Sequence, residues 1–145
     1  MPGNSTMYPL EKAEQESAMR AGGDARREAL CDRLYGETET VAVEVQTFAQ
    51  AIEAVESVAS TGTIALLKVD VEGAELEVLQ GVGAGWWQRI ERVVVEVHDV
   101  ANRRHDVDSL LRKEAGFAEV AWGQSEGANG LSNWLVFARR RRARA

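Results

Sequence analysis

Apolar and polar positions change period several times along the chain, and each change marks an element. Residues 1–9 read as a loop that holds both prolines with Gly3, Asn4 and Ser5 between them. Leu10 to about Arg20 is a mostly polar run of strong helix formers, broken by Gly22 and Gly23. Asp24 is placed to cap a second helix to about Tyr35. Both helices have thin apolar faces, Leu30 and Leu34 in the second, so residues 1–40 are expected to form a loop and a polar helical insertion or lid. From Val41 the period becomes two: Val41, Val43 and Val45 alternate with Ala42, Glu44 and Gln46, as in a half-exposed strand at a sheet edge. Phe48, Ile52, Val55 and Ala59 then mark one face of a helix that Gly62 ends.

Ile64 to Val71 is nearly continuous apolar, which suits a strand covered on both faces. Gly73 opens a helix packing through Ala74, Leu76, Val78 and Leu79, closed by glycines 81, 83 and 85. Val93, Val94, Val95 and Val97 form another buried strand. Asp106 is the candidate cap of a helix through Val107, Leu110, Leu111 and Ala115, ended by Gly116. Phe117–Trp122 and Trp134–Ala138 read as strands with no helix between them, hence an antiparallel hairpin at the edge. The order from Val41 is β-α-β-α-β-α-β-β. It predicts an α/β domain over residues 41–138, built on a mainly parallel sheet. Residues 139–145 form a basic tail.

Composition narrows the function. The 145 residues suit one domain with its own core, and the net charge is -6. Five of the 17 basic residues are Arg139–Arg142 and Arg144; the body keeps 12 against 23 acidic side chains. Such a body repels a phosphate backbone, so nucleic acid is not an expected partner. Cys31 is the only cysteine, which excludes an internal disulfide and a cysteine zinc site, and its helical setting makes it a packing residue. The sequence has no membrane-spanning stretch and no signal-peptide pattern, so the expected location is the cytoplasm.

Candidate chemistry lies at two strand ends. In an open parallel sheet, ligands gather at the carboxyl ends of strands. One strand ends Lys68-Val69-Asp70-Val71-Glu72-Gly73, the other Glu96-Val97-His98-Asp99. Alternation puts Asp70 and Glu72 on one face and Glu96 and His98 on one face; neighbouring parallel strands would bring the two sets to one rim. Carboxylates beside a histidine permit general acid/base chemistry. The plain alternatives are that Glu72 caps the following helix, Asp70 binds loop amides and His98 is solvated in a turn. The four groups also offer donors to a metal, but their spacing carries no metal signature and no metal is assigned. Gly81-Val-Gly83-Ala-Gly85 follows a helix rather than a strand, so it is not a nucleotide-binding loop. Trp122 and Trp134 suit either a stacked ligand or edge packing, the second being the commoner use.

Leu66 to Val82, Leu-Leu-Lys-Val-Asp-Val-Glu-Gly-Ala-Glu-Leu-Glu-Val-Leu-Gln-Gly-Val, closely resembles the Lys-Ile-Asp-Val-Glu-Gly-Ala-Glu segment of FkbM-family methyltransferases. Val45-Gln46-Thr47-Phe48 looks like the strand and helix start before that segment. Val93 to His98 looks like the family's next strand, ending Glu-x-His. Pro2 to Thr6 is similar to a loop after the third strand in some members. The resemblance implies the C-terminal part of a class I, Rossmann-like methyltransferase fold that uses S-adenosylmethionine. It implies methyl transfer to a hydroxyl of a small molecule or natural product. By resemblance, Asp70 and Glu72 lie near the cofactor, Glu96 and Asn4 near the acceptor, and His98 or Asp70 is the candidate base.

The sequence departs from the family in lacking the strand and glycine loop that cradle the methionine part of the cofactor, and the acid that binds its ribose. N-terminal strands are therefore expected to be missing, with apolar faces left open and poor stability, self-association or pairing with the missing half as the consequence. The competing reading is a non-catalytic half-domain acting as a binding or scaffolding module.

Overall fold

The computed structural model describes residues 8–36, 39–53, 55, 62–99, 101–126 and 132–141. Two helices come first, α1 (Pro9–Arg20) and α2 (Ala25–Tyr35). The side chain of Asp24 accepts from the Arg26 amide at 2.8 Å, so the cap expected from sequence is made. The pair has a small core of its own, Met19, Cys31 and Tyr35 with Leu30 and Leu34 against it, and Cys31 is buried there as a packing residue.

Four corrections to the sequence reading follow. Residues 39–47 form no strand, and Val41, Val43 and Val45 are 66%, 71% and 72% exposed. Their alternation is right for a strand, but a strand exists only when its amides and carbonyls find a partner. The next helix is shorter than its apolar pattern: α3 is Phe48–Glu53, Val55 lies outside it, and Ala59 is outside the described residues. Asp106 is no cap. Ala101 and Asn102 turn the chain with φ 51° and 68°, and α6 (Arg103–Ser109) starts after Asn102 and continues as a π-helix over Leu110–Glu114. Last, the sheet is not mainly parallel among the described residues.

Its strands are β1 (Leu67–Val69), β2 (Arg92–His98), β3 (Glu119–Glu126) and β4 (Ser132–Arg139), in the order β1-β2-β4-β3. β1 and β2 run parallel, with Val69 opposite Val95, and an isolated parallel bridge joins Ile64 to Ile90. The expected hairpin forms, but β4 pairs antiparallel with both β2 and β3, so the hairpin contributes two antiparallel ladders. Between β1 and β2 lie α4 (Glu75–Gln80) and the short α5 (Ala84–Trp87). The core fills one face of the sheet: Val69, Val93, Val95, Val97, Val136 and Ala138 pack on Leu79, Val82, Trp87, Val107, Leu111 and Phe117. On the other face Leu66, Lys68, Ala121 and Phe137 are exposed and Val94, Glu96 and Leu135 are half-buried. The sheet thus has one closed and one open face.

Arg140 ties the end of β4 to the helical layer. Its guanidinium donates to the carbonyls of Ile90 at 3.0 Å, Ala115 at 2.9 Å, Gly116 at 3.4 Å and Trp87, and its face lies 4.8 Å from the Phe117 ring centroid. A planar five-donor fork suits converging carbonyls at helix ends, and lysine does not replace it. Arg140→Lys is expected to cost about 2 kcal/mol in a denaturant titration, from two or more charge-assisted bonds lost. An unchanged midpoint would remove this role.

Candidate active site

The carboxyl ends of β1 and β2 lie side by side because the strands are parallel neighbours, and that places the turn after β1 against His98. The turn is sharp. Glu72 has φ 51° and Gly73 φ 108°, values natural to glycine but costing a glutamate about 1–2 kcal/mol. Such an outlier persists only where the surroundings over-determine it. Here the following residues hold it: Glu75 Oε1 accepts from the Gly73 amide at 2.7 Å and meets His98 Nδ1 at 2.9 Å.

Glu75 is fully buried and His98 is 6% exposed. The second oxygen of Glu75 lies 3.9 Å from Arg103 Nη1, and that guanidinium also donates to the His98 carbonyl at 3.0 Å. On the other side of the ring, Nε2 stands 3.5 Å from Glu72 Oε2. Glu75 therefore fixes the ring through Nδ1, and Nε2 faces the rim. The hydrogen bond to Glu75 raises the His98 pKa against the opposing effect of burial, with Glu75, Glu72 and Glu96 adding their charge. Burial pushes Glu75 up, but the His98 bond and the Gly73 amide outweigh it and hold the carboxyl below its usual range. Glu72 is raised, first by burial, then by Asp70, Glu96 and Glu75, with His98 opposing.

The other residues singled out from sequence fall nearby in different settings. Asp70 is exposed at the end of β1 and takes a bond from Lys68 Nζ at 2.8 Å, which raises the lysine pKa. Glu96 accepts from Asn133 Nδ2 at 2.9 Å. Asn4 lies outside the described residues. Among the described residues no group of three or more His, Cys, Asp or Glu is arranged to hold a metal ion. Trp122 and Trp134 bracket Arg104, whose guanidinium carbon is 3.7 Å from the Trp134 centroid and 5.3 Å from that of Trp122. Trp122 Nε1 donates to Asp108 at 2.8 Å, so both indoles have internal partners. A cleft of about 390 Å3 between Glu53, Gly85, Trp86 and Arg89 sits before the start of β2, at the opposite end of the strands from His98. It holds none of the rim groups.

Glu75 and Asn133 were not singled out by the sequence reading. The apolar pattern of the helix runs through Ala74, Leu76, Val78 and Leu79, yet Glu75, Leu79 and Val82 share the i, i+4, i+7 stripe and are all fully buried. A carboxylate on an apolar stripe was the available signal. Asn133 had none, because its place opposite His98 depends on the β2–β4 register.

The Methyltransferase FkbM domain model matches residues 2–118. The chain belongs to the FkbM methyltransferase family. It is 37% identical over 122 residues to Methyltransferase sdnD of Sordaria araneosa, covering 81% of this chain and 45% of that protein. It is 31% identical over 140 residues to Methyltransferase 1 of Beauveria bassiana (strain ARSEF 2860), covering 97% and 52%. It is 38% identical over 90 residues to the 31-O-demethyl-FK506 methyltransferase FkbM of Streptomyces tacrolimicus, covering 62% and 34%. The chain thus spans between about a third and a half of the length of these curated relatives. No solved structure gives a significant match. No helix of the described residues is long and apolar enough to cross a membrane.

Proposed function

We propose that this FkbM-family chain is part of an S-adenosylmethionine-dependent enzyme that methylates a hydroxyl of a small molecule or natural product, a reading supported by the name of the Streptomyces relative, a 31-O-demethyl-FK506 methyltransferase. The observation that carries the reading is His98: a buried imidazole at a strand end, held through Nδ1 by a buried carboxylate, with Nε2 toward the rim. In that role His98 Nε2 takes the hydroxyl proton as the acceptor oxygen forms its bond to the methyl carbon. S-adenosylmethionine, when bound, would supply the activated methyl group and leave as S-adenosylhomocysteine. The rim fits such a ligand in charge, since its sulfonium and ammonium are cations and Asp70, Glu72 and Glu96 are carboxylates. Asp70 and Glu72 would hold the cofactor, Glu96 and Asn4 the acceptor. Asp70, already paired with Lys68, is the weaker candidate base.

Proton removal needs neutral His98, and its raised pKa moves that form to higher pH than in a free histidine. Turnover is therefore expected to rise with pH through a limb higher than that of a free imidazole. Calorimetric titration with S-adenosylmethionine and S-adenosylhomocysteine tests the cofactor role directly. Saturable binding of both is expected. A folded sample that binds neither overturns it, and leaves the second reading, a binding or scaffolding module, which the open sheet face favours.

A further inference from the structure

The cleft at the far end of the strands from His98 holds a charge of each sign, and neither is in an ion pair among the described residues. It lies where α3 meets α5: Phe48 and Trp86 pack edge to face, ring centroids 6.2 Å apart at 79°. Gly85 opens onto it, since a Cβ built there would meet no described atom within 4 Å. Half-buried Arg89 forms one wall, and two contacts hold it in place. Its guanidinium lies 4.1 Å from the Trp86 ring centroid, and its Nε donates to the Gly62 carbonyl at 2.5 Å. A guanidinium carries five N–H donors, so the Nη groups of Arg89 still have hydrogens to give. Glu53, the last residue of α3, puts an exposed carboxylate on the cleft wall, and it accepts no hydrogen bond among the described residues. An arginine already stacked and anchored loses little freedom when it takes a ligand.

We propose that this cleft binds an α-amino acid with an apolar side chain. Arg89 takes the carboxylate through its Nη donors, Glu53 takes the ammonium, and the side chain lies along Trp86 and over Gly85. A simple anion would meet the like charge of Glu53, and a simple cation that of Arg89, so a zwitterion suits the pair better than either. The volume of about 390 Å3 is within the range of small-molecule sites. The cleft shares no residue with the rim around His98, so this ligand is bound apart from the proposed methyl transfer and does not depend on that reading.

The test is an NMR titration of the full chain with L-leucine, read at the indole Nε1–H of Trp86 and at the ring of His98. The controls are 4-methylpentanoate, which lacks the ammonium, and 3-methylbutylamine, which lacks the carboxylate. L-Leucine is expected to shift Trp86 saturably and leave His98 unmoved. It is expected to bind about two- to fivefold more tightly than either control, the worth of one exposed ion pair. Glu53→Gln is expected to bring L-leucine down to the level of 4-methylpentanoate. Gly85→Leu sends a side chain into the open space of the cleft and is expected to abolish the Trp86 shift, with unchanged amide shifts over Val93–Val97 as its folding control. No saturable shift at Trp86, a shift at His98 in its place, or a control that binds as tightly as L-leucine overturns the proposal. So does a folded Glu53→Gln chain that binds L-leucine as the unaltered chain does. The comparison of ligands on the unaltered chain stands even if a variant misfolds.

Discussion

Replacing His98 with alanine is expected to cost about 3–5 kcal/mol of unfolding free energy near neutral pH, the usual penalty for stranding one member of a buried ion pair. The reason is Glu75 rather than the lost imidazole. Glu75 is fully buried, its Oε1 shared between His98 Nδ1 and the Gly73 amide, its Oε2 without a hydrogen bond among the described residues and 3.9 Å from Arg103 Nη1. Without His98 that carboxylate keeps only backbone amides and a distant guanidinium. Glu75→Gln in the His98→Ala background removes the buried charge and is expected to recover most of the loss, so the two changes are strongly non-additive. Urea unfolding of the wild type, both single variants and the double variant measures the coupling. A His98→Ala loss under 1 kcal/mol, or additive single effects, would show that the pair carries little of the fold.

The same pair sets the pH response. His98 is raised in the folded state, so its contribution is complete below its unfolded value of 6.5 and is lost as pH rises through the higher folded value. Glu75 is lowered, so its contribution is complete above its unfolded value of 4.5 and is lost as pH falls through the lower folded value. Both are fully present only between those two values. Glu72 is raised, so its term is complete below 4.5 and declines above it, which weights the optimum toward the acidic side of that window. A thermal midpoint that peaks in mildly acidic buffer, and flattens in Glu75→Gln, is the expected profile.

How much of this was legible depends on whether the information is local. The β2 run, the final hairpin and the Asp24 cap are local patterns, and all three form, the hairpin with its strands at Glu119–Glu126 and Ser132–Arg139 rather than Phe117–Trp122 and Trp134–Ala138. Glu72 does meet His98, as parallel adjacency of β1 and β2 suggested, but the contact is made by the sharp turn after β1 rather than by strand alternation, since β1 ends at Val69 and Glu72 has φ 51°. The partnering of Asn133 with Glu96, 37 residues away, is a matter of register between distant strands, which no local pattern encodes. Glu75 was hidden differently: in its sequence context it looks like one more polar residue in a helix, and only its burial makes it exceptional. The Val41–Val45 alternation misled because pattern states what a segment can do, and pairing decides whether it does. The parallel-sheet expectation failed at the hairpin, since β4 inserts between β2 and β3 and turns both new ladders antiparallel.

The open sheet face yields the last expectation: this chain self-associates. Phe137 is 50% exposed at the centre of that face, opposite Val94 on β2 and Ala121 on β3, with Leu135 further along the same strand. Among the described residues β1 has a paired neighbour on one side only, and exposed Leu66 precedes it. A sheet normally buries an apolar face against a second layer, and an exposed contiguous patch marks an interaction surface. In a purified sample the surface available to cover it is a second copy of itself, and a two-fold arrangement would bring Phe137 of each copy toward the other. Sedimentation velocity at micromolar concentration is expected to show dimers or larger species. Phe137→Lys, which places a charge in the patch without touching the closed core, is expected to shift the distribution to monomer and raise solubility while leaving the His98–Glu75 contact intact. A wild-type chain that sediments as a compact monomer would mean that the exposed valines or another segment fold back over this face, and that the half-open sheet is not the state in solution.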